Sequence, residues 1–126
     1  MNRIPSLYIK PSPLGGRGVF TALEIPAGSL IEQCPVIILS AKDRKIIHKT
    51  FLHDYYFLWE PDGCALALGF GSLYNHRSEP NADYEMDYDQ KTIDFICIRD
   101  IKAGEEITVN YTDGDDRQTE LWFKEK

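Results

Sequence analysis

Short β-branched and aromatic runs, each cut off by proline or glycine, recur along this chain and confine it to brief strands joined by tight turns. Residues 7–10, 18–20, 30–34 and 36–39 are runs of this kind, with Pro11, Pro13, Pro26 and Gly28 among the breaks. Residues 64–68 have no polar alternate and predict a buried strand. Residues 82–88 set Tyr84, Met86 and Tyr88 against Asp83, Glu85 and Asp87, the alternation of a half-exposed strand. Turns at 89–91 and 102–105 lead into strands over 93–98 and 107–111. One short helix is expected over 41–49, where Ser40 followed by Asp43 resembles an N-cap with a first-turn acid and Ile46 and Ile47 supply an apolar stripe. The end of the chain, 116–126, predicts one or two helical turns burying Leu121 with Trp122 or Phe123.

A chain of 126 residues supports one compact domain; two cores would each be too small to stand alone. Its 43% hydrophobic and 27% charged residues match an ordered globular protein. No apolar run approaches the ~20 residues of a membrane span, and residues 1–10 lack the apolar centre of a secretory signal. The expected setting is intracellular: cytoplasmic or, in a eukaryotic host, nuclear. Cys34, Cys64 and Cys97 are odd in number, far apart and set among apolar neighbours, so they are expected as buried free thiols and not as a disulfide or zinc framework. The net charge of −6 opposes phosphate binding and hence direct nucleic-acid contact. Acidic residues gather at Asp83, Glu85, Asp87 and Asp89 and again at Asp113, Asp115 and Asp116. Singly these are solvated surface charges; as two runs they can speed the encounter with a basic peptide.

Three segments carry chemical suggestion. Gly15-Gly16-Arg17-Gly18 lets the backbone approach a ligand closely, although a glycine-rich hairpin turn has a plain structural explanation too. It lacks the lysine and threonine of a nucleotide phosphate loop. Residues 69–76 end in Tyr74, Asn75 and His76, and an Asn/His pair offers donors and acceptors to a heterocycle such as adenine. His76 could equally be a satisfied core histidine or a general base. No Ser or Cys nucleophile motif accompanies it, and His48 and His53 show no metal-ligand spacing. Tyr111 stands at the end of the 107–111 strand, where a tyrosine usually serves the core.

Taken in order, the segments resemble the SET-domain family of protein lysine methyltransferases. Gly16-Arg17-Gly18-Val19-Phe20 is similar to that family's N-terminal glycine motif. Asn75-His76-Arg77-Ser78-Glu79-Pro80-Asn81 is similar to its Asn-His-Ser-x-Asp-Pro-Asn motif, and Gly104-Glu105-Glu106-Ile107-Thr108 followed by Tyr111 to the run before its catalytic tyrosine. The likeness covers about 7–111 and is nearest to minimal viral and bacterial members. It implies a mostly-β SET-domain (β-clip) fold of several small twisted sheets, with one or two short helices and a knot-like C-terminal strand ending at Tyr111. The single domain would span 1–126, with 112–126 a tail closing the site.

The resemblance implies S-adenosylmethionine as cofactor, held by backbone groups of Gly16, Arg17 and Gly18 and by Asn75 and His76. Tyr111 would stand at the methyl-transfer centre. Tyr55 is favoured over Tyr56 as a wall of the lysine channel, and Tyr74 is a weaker candidate. The implied substrate is a basic, lysine-containing protein, histone-like among others, acted on by a monomer or homodimer. Arg77 replaces the family's small serine and Glu79 its aspartate, and the cysteine cluster that binds zinc after the catalytic tyrosine in many relatives is absent. Leu121, Trp122 and Phe123 are therefore expected to cover the adenine or complete the channel. Val109, where some relatives carry an aromatic, leaves the number of methyls added open. The competing readings are a catalytically silent module that binds a basic peptide, an enzyme of the same fold acting on another amine, and a plain structural β-protein.

Overall fold

In the computed structural model, described here for residues 3–111, short strands dominate as expected. The chain runs β1 (Leu7–Pro11), β2 (Arg17–Thr21), β3 (Leu30–Leu39), α1 (Ala41–Ile47), a 3-10 helix (Phe51–Asp54), β4 (Tyr56–Trp59), β5 (Gly63–Ala67), β6 (Asn75–His76), β7 (Ala82–Asp87), β8 (Thr92–Cys97) and β9 (Glu106–Val109). The strands form a four-stranded sheet, ordered β1-β2-β9-β6, and a five-stranded sheet, ordered β4-β5-β3-β8-β7. The predicted tail helix, with Leu121, Trp122 and Phe123, lies outside the described residues. Among those residues no helix is long and apolar enough to cross a membrane.

The helix starts where its sequence says. Ser40 is the N-cap, its hydroxyl accepting from the Asp43 amide at 3.1 Å, which satisfies one of the first-turn donors a helix leaves unpaired. Two expectations need correction. The runs 30–34 and 36–39 form one strand through Pro35, because that residue sits where β3 changes partner: Pro35 is opposite Thr92 of β8, and Val36 is opposite Ala67 of β5. A missing N–H costs little at such a handover. In the segment of Tyr55 and Tyr56, which is strand-like in sequence from Asp54 to Phe57, the strand begins only at Tyr56, because the Thr50 hydroxyl accepts from the Leu52 amide at 3.2 Å and starts a helical turn instead.

Val19, Ile31, Ile93, Phe95, Ile107 and Val109 are buried and join both sheets in the main core. Each contributes roughly 1.5–3 kcal/mol by leaving water. The three cysteines are free and buried, Cys34 and Cys97 in this core and Cys64 in a smaller cluster with Tyr56, as their apolar neighbours predict.

The sequence gives no hint of β6, a two-residue strand that runs parallel to β9, with Asn75 opposite Thr108 and His76 opposite Val109. Beyond it the Arg77 amide donates to the Val109 carbonyl at 3.0 Å. Asn81, only 2% exposed, completes the attachment: its Nδ2 donates to the Glu106 carbonyl at 2.8 Å and its Oδ1 accepts from the Thr108 amide at 2.9 Å. Asn81→Ala leaves both backbone groups buried and unpaired. It is expected to remove about 2–5 kcal/mol of unfolding free energy in urea titrations, and a loss below about 1 kcal/mol would show that β9 is held mainly by other contacts.

Candidate active site

The glycine motif closes the hairpin between β1 and β2. The Ser12 amide donates to the Gly16 carbonyl at 2.9 Å, and Gly15 and Gly16 take φ values of +122° and +56°, which side chains resist. Gly18 is needed for a different reason. It lies in β2 facing the neighbouring elements, and a Cβ there would overlap Glu106 Oε2 and crowd Asn75 Nδ2.

Those two groups form the hub of the site. Asn75 Nδ2 donates to Glu106 Oε2 at 2.8 Å and to the Arg17 carbonyl at 3.2 Å, with the Gly15 carbonyl at 3.5 Å. The other carboxylate oxygen of Glu106 accepts from the Ser12 hydroxyl at 2.7 Å. A largely buried carboxylate on β9 thus ties the glycine hairpin to Asn75 on β6. Carbonyl and carboxylate oxygens collect here, and so acceptor-rich a corner favours a ligand that brings N–H donors or positive charge.

At the opposite end of β9 the chain turns out of the ladder, and Tyr111 falls in that turn, not inside the strand expected over 107–111. Its amide donates to His76 Nδ1 at 3.3 Å, which makes Nδ1 the acceptor and puts the proton of a neutral ring on Nε2. His76 thereby anchors the backbone that presents the phenol. The Tyr111 hydroxyl donates to the Tyr74 carbonyl at 2.5 Å, and its ring lies 5.8 Å from that of Phe57 and 5.7 Å from that of Tyr84. Burial pushes the phenol pKa well above the ordinary tyrosine value, reinforced by Tyr84 and Cys34. Tyr111 is a neutral hydroxyl under physiological conditions.

Gly16, Arg17, Gly18, Asn75, His76 and Tyr111 are therefore gathered along β9 from three distant parts of the chain. Tyr55 is half-buried, its ring 5.6 Å from that of Phe51, while Tyr56 turns to the opposite side and bonds His48 Nδ1 at 2.8 Å. Trp122 lies outside the described residues. Ser12, Phe57, Tyr84 and Glu106 were not marked as site residues by sequence. Strand alternation marks Phe57 and Tyr84 as facing one way, but only the topology shows that both face Tyr111.

Comparison with known proteins places this arrangement. A family model described as the SET domain matches residues 16–112. A Schizosaccharomyces pombe histone-lysine N-methyltransferase, H3 lysine-37 specific, is 34% identical over 121 residues, covering 95% of this chain and 78% of that protein. The crystal structure of a candidate histone methyltransferase of Plasmodium falciparum superposes with a TM-score of 0.74 at 28% identity, covering 90% of this chain and 97% of that one. A chain of a humanized Chaetomium thermophilum Polycomb Repressive Complex 2 shares the fold, with a TM-score of 0.73 at 24% identity, and there the match covers 94% of this chain but 16% of the other. The order of motifs, the mostly-β architecture and a relative alike over nearly the whole chain agree: the chain belongs to the SET-domain family of protein lysine methyltransferases.

Proposed function

We propose that this enzyme transfers a methyl group from S-adenosylmethionine to a lysine of a histone or a similarly basic protein. The observation that carries the proposal is the convergence, along one strand, of an acceptor-rich glycine hairpin and a buried, neutral tyrosine hydroxyl. The residues present fit the cofactor. Its ammonium and sulfonium groups are cationic, and the carbonyls of Gly15 and Arg17 and the Glu106 carboxylate supply matching acceptors around Asn75. Gly16, Arg17 and Gly18 would hold its methionine part through the backbone, and Asn75 and His76 its adenine and amino-acid ends.

When bound, S-adenosylmethionine supplies an electrophilic methyl on a positively charged sulfur. The protein has to present a neutral lysine amine in line with that methyl and exclude water. Phe57 and Tyr84 beside Tyr111 give an apolar wall that disfavours the ammonium form and so frees the nitrogen lone pair. Tyr55, with Phe51 beside it, would extend this wall toward solvent. Because the Tyr111 proton is committed to the Tyr74 carbonyl, the phenol oxygen faces the reaction with its lone pairs and can orient the amine N–H. The lysine amine itself would accept the methyl, so the protein would need to supply orientation and a dry channel and no nucleophile of its own.

Histone-directed relatives and the acidic outer edge of β7, with Asp83 and Glu85 exposed, support a basic substrate and, with it, a reaction near chromatin. The acids alternate with Tyr84 along the strand, so they face away from the Tyr111 side and act by attraction at a distance.

Calorimetry of S-adenosylmethionine with the intact protein and with Asn75→Ala tests the cofactor site: the substitution is expected to weaken binding about tenfold, or 1.4 kcal/mol, and equal affinity would remove Asn75 from the site. Tyr111→Phe should lower turnover on a histone peptide about a hundredfold or more while sparing cofactor affinity; unaltered turnover would contradict the role given to the hydroxyl. The buried phenol also makes an alkaline signature. Its folded pKa is raised, so its stabilising effect is whole below the ordinary value of about 10 and is lost as pH climbs toward the folded value. Denaturation in the Tyr111→Phe protein should accordingly show a shallower fall in stability above pH 10 than in the wild type, by about 1.4 kcal/mol per pH unit, and parallel falls would contradict the burial of an un-ionised Tyr111.

A further inference from the structure

The methyl-transfer chemistry makes no use of Glu32, yet the fold is built around this carboxylate. Glu32 lies in β3, in the five-stranded sheet, and is 0% exposed. Its Oε1 accepts from the Tyr74 hydroxyl at 2.7 Å, and its Oε2 accepts from the Phe70 amide at 3.0 Å. The Arg3 guanidinium approaches Oε2 at 3.5 Å while lying over the Phe70 ring, 4.1 Å from its centroid. Gly69, at φ +65°, leaves room for the same oxygen, which a Cβ would overlap. A carboxylate buried without such partners would cost several kcal/mol, and an apolar residue at this place in β3 would avoid the cost altogether. The arrangement therefore calls for a purpose beyond packing.

That purpose is visible at the other end of the residue Glu32 holds, Tyr74. Tyr74 is 2% exposed and its ring stacks on Phe95 at 4.3 Å, so the hydroxyl bond to Glu32 fixes the far end of a side chain already clamped on its face. The backbone carbonyl of the same residue receives the Tyr111 hydroxyl. We infer that Glu32 is a positioning residue for methyl transfer: by holding the Tyr74 side chain it sets the carbonyl that takes the Tyr111 proton, and so fixes the direction in which the phenol oxygen offers its lone pairs. The inference rests on the proposed role of Tyr111. Glu32 joins the five-stranded sheet to the catalytic end of β9, while Asn75 is held separately by β6–β9 pairing and Glu106. Disturbing Glu32 should therefore disturb the reaction centre and leave the cofactor site in place.

The test combines a readout that needs no substrate with one that does. In the cofactor-free protein, exchange of the Tyr111 hydroxyl proton with water, followed by NMR, is expected to quicken at least about tenfold in Tyr74→Phe, which keeps the ring and deletes only the bond to Glu32. Turnover on a histone peptide should fall about tenfold, with the S-adenosylmethionine Kd within about twofold of wild type. Glu32→Asp, which withdraws the carboxylate by one methylene, should act in the same direction and serves if Tyr74→Phe does not fold. Glu32→Gln keeps a carbonyl oxygen for the Tyr74 hydroxyl and should restore both readouts to within about threefold of wild type. Hydroxyl exchange and turnover unchanged in Tyr74→Phe, or in Glu32→Asp where it replaces it, would overturn the inference. So would a Glu32→Gln loss as large as that of Glu32→Asp, since the residue would then matter only as a buried charge. If the wild type methylates nothing, the proposed function fails, but the exchange measurement still decides whether Glu32 governs the Tyr111 hydroxyl.

Discussion

The structure depends on β9 being paired along both edges. On one side Val19 and Phe20 of β2 lie antiparallel to it, and on the other Asn75 and His76 of β6 lie parallel. A four-residue strand with one neighbour would be marginal. With two neighbours, and with Asn81 bonding its backbone at both Glu106 and Thr108, it becomes the axis on which segments more than 50 residues apart are assembled. The consequence is chemical as well as structural. The two elements that flank β9 are those that present the glycine hairpin and the Asn75-His76 pair, and the residue that follows it into the turn is Tyr111.

Two buried carboxylates sit behind this axis, each with its own task. Glu106 gathers the Ser12 hydroxyl and the Asn75 amide at the glycine-hairpin end, and Glu32 gathers the Tyr74 hydroxyl and the Phe70 amide behind the Tyr111 end. Side chains that are desolvated and fully bonded have little freedom to adopt other arrangements, so the cost of burying them is returned as a fixed geometry. In-line displacement demands that kind of precision, because its rate depends on alignment more than on acid–base strength. The neutral, buried Tyr111 fits the proposed reaction, in which the phenol would orient the amine and need not exchange its proton.

Much of the architecture was legible in the sequence because its signals are local. Proline and glycine breaks bounded most of the strands, Ser40 began the helix, and apolar neighbours foretold the three buried thiols. The family motifs identified the chemistry. Long-range pairing was not legible. Pro35 looks like a break and is instead a change of partner, and nothing in Asn75-His76 announces a parallel strand. For the same reason Phe57 was not picked out beside Tyr55 in its segment: alternation says that Tyr56 and Phe57 face opposite ways, but only the assembled sheets show that the Phe57 ring lies against Tyr111. Ser12 escaped notice, and Glu106 stood in a quoted motif without a role of its own, because a serine and a glutamate carry no distinctive signal until a third residue brings them together.

The most direct measurement is mass spectrometry of purified histone H3 after incubation with this protein and S-adenosylmethionine carrying an isotopically labelled methyl group. The account predicts labelled methyl-lysine at defined positions. Saturable cofactor binding by folded protein, with no labelled lysine on H3 or on any of a panel of lysine-rich proteins, would contradict it and leave a SET domain that keeps the fold without the transfer.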